Sequence, residues 1–168
     1  MRNAKLLFKI IKKGTLPKDF NMWNFCDSNG WSVAHIAAMY NKLPKDFDRW
    51  KIYDNYGWSV AHEAVRRGSL PKDFNQWEIK DKHYWSVAHE AACYGCLPEN
   101  FDQWEIKDKN DWSVAHEAAV YDHLPKDFNK WNIKDKNNRS VANVFVLRKG
   151  FLNIFKCWYI KNKRHIFN

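Results

Sequence analysis

Aromatic and small apolar residues recur along this chain on a fixed beat, with lysine, asparagine and aspartate filling the positions between them. Phenylalanine stands at Phe20, Phe47, Phe74, Phe101, Phe128 and Phe155, and three residues beyond each comes Trp23, Trp50, Trp77, Trp104, Trp131 or Trp158. Next are Asp27, Asp54, Asp81, Asp108 and Asp135, then a second tryptophan column, Trp31, Trp58, Trp85 and Trp112. A Ser-Val-Ala-His block follows, beginning at Ser32, Ser59, Ser86 and Ser113. Leu-Pro pairs from Leu16-Pro17 to Leu124-Pro125 keep the same spacing of 27 residues and contain all five prolines. A period of about 20 to 50 residues is the mark of stacked supersecondary units. Aromatic columns copied this evenly read as a stacking core, in which each unit packs on the next.

Each interior unit predicts the same elements. Ser59 is an N-cap and Val60 the first helical residue. Val60, Ala61, Ala64 and Val65 form one apolar stripe at helical period, and the alanines let neighbouring helices approach closely. Gly68 or Gly95 supplies a left-handed C-cap. Pro71 then opens a second, short helix, with Phe74 and Trp77 on one edge; at barely two turns it depends on tertiary packing. Residues 78–81 read as extended with Ile79 inward, and 82–84 as a turn. Leu6, Leu7, Ile10 and Ile11 recur at helical spacing near the N-terminus, which makes residues 1–14 a capping half-repeat. The 27-residue repeats run through 15–138. Residues 139–168 are a degenerate last copy, in which Phe145 and Val146 replace the small pair, followed by a basic tail. The expected whole is a single repeat domain over 1–168, mainly α, with four full units and partial units at both ends.

The run Asp54-Asn55-Tyr56-Gly57-Trp58-Ser59-Val60-Ala61-His62-Glu63-Ala64, followed by Gly68, resembles the ankyrin repeat, whose consensus D-x-x-G-x-T-P-L-H-x-A-A-x-x-G it matches at the Ser, His, Ala and Gly positions. The resemblance covers roughly residues 4–162. It implies a solenoid of helix–turn–helix–hairpin units and a non-enzymatic scaffold that binds a protein partner on its concave face. The chain departs from the family in its period, 27 where ankyrin repeats have about 33, in Val-Ala for Pro-Leu, and in LPxxFxxW in place of a longer second helix.

Composition changes the picture in two places. The formal net charge of +9 is concentrated at the ends: residues 1–13 and 139–168 hold twelve Lys and Arg and no acid, so the body between them is mildly acidic. Nucleic acid or another acidic partner on those basic ends is therefore the second functional reading. The four cysteines, Cys26, Cys93, Cys96 and Cys157, fall in columns with unrelated residues elsewhere, which implies no disulfide framework and agrees with a reducing compartment. No transmembrane run and no signal peptide are read from the sequence, so a cytoplasmic monomer is expected.

Candidate chemistry is sparse. His35, His62, His89 and His116 form a ladder; catalysis needs one constellation rather than four copies, so these are expected to tie each repeat to the next through backbone hydrogen bonds. Cys93 and Cys96 form a C-x-x-C with no second pair, too few ligands for zinc. The lysines Lys80, Lys82, Lys107, Lys109, Lys134 and Lys136 are interleaved with Glu78, Asp81, Glu105 and Asp108 and read as a self-paired surface. No nucleophile–base pair, phosphate loop or carboxylate dyad is visible, so no enzyme, cofactor or metal is expected. The helix positions opposite the Val/Ala stripe carry Tyr40, Glu63, Arg66, Arg67, Glu90, Tyr94, Glu117 and Tyr121. Tyrosine and arginine dominate binding hot spots, and these eight are the expected partner-binding residues.

Overall fold

The computed structural model describes residues 2–14, 16, 17 and 19–150, with side chains from Phe8 onward. The chain is mainly helical: α1 (Arg2–Lys13), α2 (Val33–Met39), α3 (Val60–Arg66), α4 (Val87–Tyr94) and α5 (Val114–Tyr121), with α6 over residues 141–150. Among the described residues the only β pairing is one isolated antiparallel bridge per unit, from Cys26–Ser32 to Lys134–Ser140. From α1 to α5, each helix packs on its neighbours in sequence and on no other helix.

Each of α2 to α5 starts where the pattern places it, and the histidine explains why. Ser59 lies in extended backbone, and its Oγ accepts the His62 backbone N–H at 3.3 Å. In return the Ser59 N–H donates to His62 Nδ1 at 3.4 Å, which closes a capping box with histidine in the place usually held by Glu or Gln. The same box stands at Ser32, Ser86 and Ser113. The helices end in left-handed residues, Gly95 at φ 66° after α4 and Asp122 at φ 65° after α5.

The aspartate column builds the hairpin. Asp54 Oδ1 accepts from the backbone N–H of Tyr56 at 2.9 Å and of Trp58 at 2.8 Å, an Asx turn that pins the chain before the helix. The turn then needs a residue at positive φ, which Gly30 and Gly57 supply. At Gly57 the next hairpin comes so close that a Cβ would lie 2.8 Å from the Lys82 nitrogen. Tyr84, Asp111 and Asn138 adopt the same left-handed conformation in the later copies.

The second helix expected over Pro71–Trp77 does not form. Two separate turns replace it: the Phe74 N–H donates to the Pro71 carbonyl at 3.1 Å, and the Ile79 N–H to the Gln76 carbonyl at 3.2 Å. A two-turn helix repays its nucleation with few hydrogen bonds, and the intervening Asp73 and Asn75 favour turns over helix. The two-turn path brings Phe74 and Trp77 edge to face, ring centroids 5.0 Å apart. Each unit therefore has one helix, two turns and a one-bridge hairpin, which corrects the helix–turn–helix expectation.

These rings join into a single ladder. Phe20, Trp23, Phe47, Trp50, Phe74, Trp77, Phe101, Trp104, Phe128 and Trp131 alternate in T-shaped contacts between 4.9 and 5.7 Å. The ladder passes from unit to unit without a break. Among the described residues its last ring is Phe145, 5.4 Å from Trp131, a residue that stands where the other copies have alanine. The Val/Ala stripes of the helices are completely buried beside it. Phe151, Phe155, Cys157, Trp158 and Tyr159, which the sequence marks as an aromatic C-terminal end, lie outside the described residues.

Trp77 is 7% exposed and bridges two units, whereas Trp85 lies half-buried at a helix entry. Trp77→Ala is expected to cost about 3–5 kcal/mol in urea unfolding and Trp85→Ala clearly less. Equal, near-zero losses would remove the ladder from the core.

Candidate partner-binding surface

The histidine ladder is structural. Each imidazole uses Nδ1 within its own capping box and Nε2 on the following unit: His35 reaches the Trp58 carbonyl at 3.0 Å, His62 the Trp85 carbonyl at 3.1 Å, His89 the Trp112 carbonyl at 2.9 Å and His116 the Arg139 carbonyl at 3.0 Å. A carbonyl only accepts, so Nε2 carries the proton and Nδ1 is the acceptor for the serine N–H. The second tryptophan column lies over these rings, with Trp58 and His62 centroids 4.6 Å apart. Burial drives the His62 and His89 pKa values down to about 4, and those of His35 and His116 down from the ordinary value, against the opposing pull of the backbone carbonyls.

The eight expected partner-binding residues fall into three groups. Tyr94 (47% exposed), Tyr121 (43%), Arg66 and Arg67 are open to solvent at the C-terminal ends of their helices. Tyr40 is half-buried, with the Lys12 ammonium 5.7 Å from its ring centroid. Glu63, Glu90 and Glu117 are buried, at 1%, 8% and 8%, contrary to the exposed position that the helix wheel gives them. Glu63 Oε1 pairs with Arg67 Nε at 2.8 Å. Glu90 Oε2 accepts the indole N–H of Trp85 at 3.0 Å, and Glu117 Oε2 that of Trp112 at 2.8 Å. Burial pushes the Glu90 and Glu117 carboxyls above the usual range, although both indole bonds favour the ionised form. The wheel fails because each helix is flanked by two others and roofed by the tryptophan of its own hairpin, so most of its circumference is buried.

What remains open is a row of side chains linked from one unit to the next. Arg66 lies over the Trp58 ring at 5.8 Å, reaches Glu90 at 3.8 Å and interacts with the Tyr94 hydroxyl. The Cys93 thiol interacts with the Tyr121 hydroxyl, and burial raises its pKa. A second exposed set sits at the hairpin tips: Tyr56 (63% exposed) under Lys82 and Tyr84 (59%) under Lys80. The lysine ladder is partly tied down, since Lys80 Nζ donates to the Lys107 carbonyl at 2.9 Å and Lys136 Nζ to the Lys109 carbonyl. Among the described residues, no group of three or more His, Cys, Asp or Glu is placed to hold a metal ion, and no helix is long and apolar enough to cross a membrane. Most of the basic C-terminal segment lies outside the described residues.

No family model matches the chain, and no curated protein matches it either. Among solved structures, it is similar to a chain in that of the predatory endopeptidase Bd0816 from Bdellovibrio bacteriovorus in complex with immunity protein Bd3460. The TM-score is 0.62 at 15% identity, over 88% of this chain and 93% of that one. At that identity the likeness is one of fold.

The neutral histidines give a pH dependence with a defined sign. Between pH 6.5 and about 4 the unfolded chain takes up protons at His62 and His89 that the folded chain refuses. Stability is therefore complete above that window and falls with decreasing pH, by about 1.4 kcal/mol per unit per histidine. The raised carboxyls of Glu90 and Glu117 act in the opposite sense and offset part of the loss. Urea midpoints should hold between pH 7.5 and about 6.5 and decline from there to pH 5; a profile that stays flat or rises below pH 6.5 would contradict the neutral ladder.

Proposed function

We propose that the chain is a non-enzymatic binding protein, an ankyrin-like solenoid whose concave face, at the C-terminal ends of α2 to α5, holds a protein partner. The observation that carries this reading is the contrast between columns. The core and capping positions repeat with hardly a change, while the position at the C-terminal end of the helix is Tyr40, Arg67, Tyr94 and Tyr121 in successive units, half-buried at Tyr40 and exposed at the other three. A surface that varies over an invariant scaffold lets each unit meet a different part of one partner. Tyrosine brings large contact area at modest entropic cost. The serine–histidine box and the histidine bond to the next unit support the ankyrin-like assignment, as does the packing of each helix on its sequence neighbours. A solved structure of similar fold is a complex between an endopeptidase and an immunity protein. That setting, two proteins held together, agrees with a protein partner here and leaves its identity open.

Arg67 has to be left out of any test of this face, because it is the counter-ion of buried Glu63. Tyr94 and Tyr121 are exposed, and truncating them should change stability by no more than about 0.5 kcal/mol. Tyr94→Ala combined with Tyr121→Ala is expected to abolish capture of the native partner from the source cell while leaving the melting curve near the parent's. Capture at unchanged yield would exclude this face and direct attention to Tyr56 and Tyr84 at the hairpin tips, the second exposed aromatic set.

A further inference from the structure

Because the units are copies, one can serve as the template for the next. In one unit boundary, Trp58, Arg66, Glu90 and Tyr94 form a complete arginine site. The guanidinium lies over the indole at 5.8 Å, faces the carboxylate at 3.8 Å and meets the phenol. One period later the same places are held by Trp85, Cys93, Glu117 and Tyr121. Indole, carboxylate and phenol are retained, and only the cation is gone. Cys93 contributes an uncharged thiol that interacts with Tyr121 but cannot pair with a carboxylate.

The other copies have their cations. Glu63 holds Arg67 at 2.8 Å. The Trp112 ring is covered by Arg139, its guanidinium carbon 5.4 Å from the centroid. Around Glu117, by contrast, no cation lies within ion-pairing distance among the described residues, and no cation lies over the Trp85 ring. Among the described residues, the Glu117 carboxylate accepts one hydrogen bond, from the Trp112 indole to Oε2. Burial and the neighbouring Glu90 and Asp108 carboxylates all raise its pKa, which is the environment of an anion short of a counter-charge. Tyr121, the phenol of this set, is exposed, as is Tyr94 in the preceding one.

We propose that Trp85, Glu117 and Tyr121 form a vacant arginine cradle, filled by an arginine side chain of the partner protein in the way that Arg66 fills the preceding copy. This rests on the binding reading above and specifies the partner's chemistry. A guanidinium suits the site better than an ammonium, because its plane stacks on an indole while its N–H groups meet a carboxylate. The exposed Arg66 and Arg67 lie to one side, so the partner's cationic residue must be flanked on that side by neutral or acidic ones.

The test uses the full-length chain with 15N-labelled indoles, the Trp85 and Trp112 signals assigned through Trp85→Phe and Trp112→Phe. N-acetyl-arginine amide is the probe, with N-acetyl-lysine amide beside it. The arginine probe should shift both assigned indoles saturably, and the lysine probe more weakly. Cys93→Arg, which supplies the missing cation in cis, and Glu117→Gln should each weaken the response about tenfold or more, the scale of a lost charged hydrogen bond. Cys93 is half-buried in the place that exposed Arg66 takes one period earlier, so Cys93→Arg has a structural precedent in the chain and keeps the test independent of any destabilisation by Glu117→Gln. No saturable shift in the parent, or an undiminished one in Cys93→Arg, overturns the proposal. Loss of the partner in the tyrosine double variant, together with a silent arginine probe, would leave the binding face standing and remove the cradle alone.

Discussion

The edge-to-face contact between a phenylalanine and a tryptophan, repeated through the length of the chain, is the interaction on which the rest of the structure depends. A unit of 27 residues with one helix of seven or eight residues has no core of its own. Isolated helices of that length do not persist in water. Each unit becomes stable when its Trp meets the Phe of the next, at 5.3 to 5.7 Å across the unit boundary. Such pairs add about 0.5–1.5 kcal/mol beyond the area they bury. The alternation leaves no interior ring without a neighbour on both sides. It also explains why the LPxxFxxW segment abandons helix for two turns: ring placement outweighs a few local hydrogen bonds.

The histidines supply direction where the ladder supplies adhesion. Apolar contact tolerates sliding, whereas an Nε2–H aimed at one carbonyl of the following unit does not. By locking its own Ser-capped helix with Nδ1 and the next hairpin with Nε2, each imidazole couples helix start to unit register. Its neutrality is part of the device, because a proton on Nδ1 would displace the serine N–H from the capping box. Asn143, which stands in the histidine column of the last copy, keeps the local half: its Oδ1 accepts from Ser140 N–H at 3.0 Å and from Ser140 Oγ at 2.9 Å.

Much of this was legible before any coordinates. The Ser N-caps, the Val/Ala stripe, the buried first tryptophan column, the inward Ile79 and the histidine link between units all follow from residue type at fixed spacing. Two features were not legible, for a common reason. A helix wheel assumes one buried face, and a proline followed by apolar residues three apart, as Phe74 and Trp77 follow Pro71, assumes a helix start. Both rules describe an isolated helix. Glu63, Glu90 and Glu117 are covered because neighbouring helices and the hairpin tryptophans enclose α3, α4 and α5 on nearly all sides, which depends on the copies around them. Their choice of partner, Arg67 in one unit and an indole in the next two, depends on single substitutions that no period reveals. The departures from the repeat, Arg66 against Cys93 above all, are what makes the surface of one unit differ from that of the next.

If the units are interchangeable rungs, one of them can be removed without disturbing the others. Excision of residues 71–97 joins Leu70 to Pro98, restores the Leu-Pro pair and places Phe101 against Trp50, where Phe74 stood. The account predicts a shortened protein that unfolds in one cooperative transition at a lower midpoint, with its near-ultraviolet aromatic circular dichroism retained. Stability in such a stack is the sum of unit and interface terms. Loss of the aromatic signal and of cooperativity at all temperatures would show that the rungs are not equivalent, and would contradict the ladder as the organising interaction.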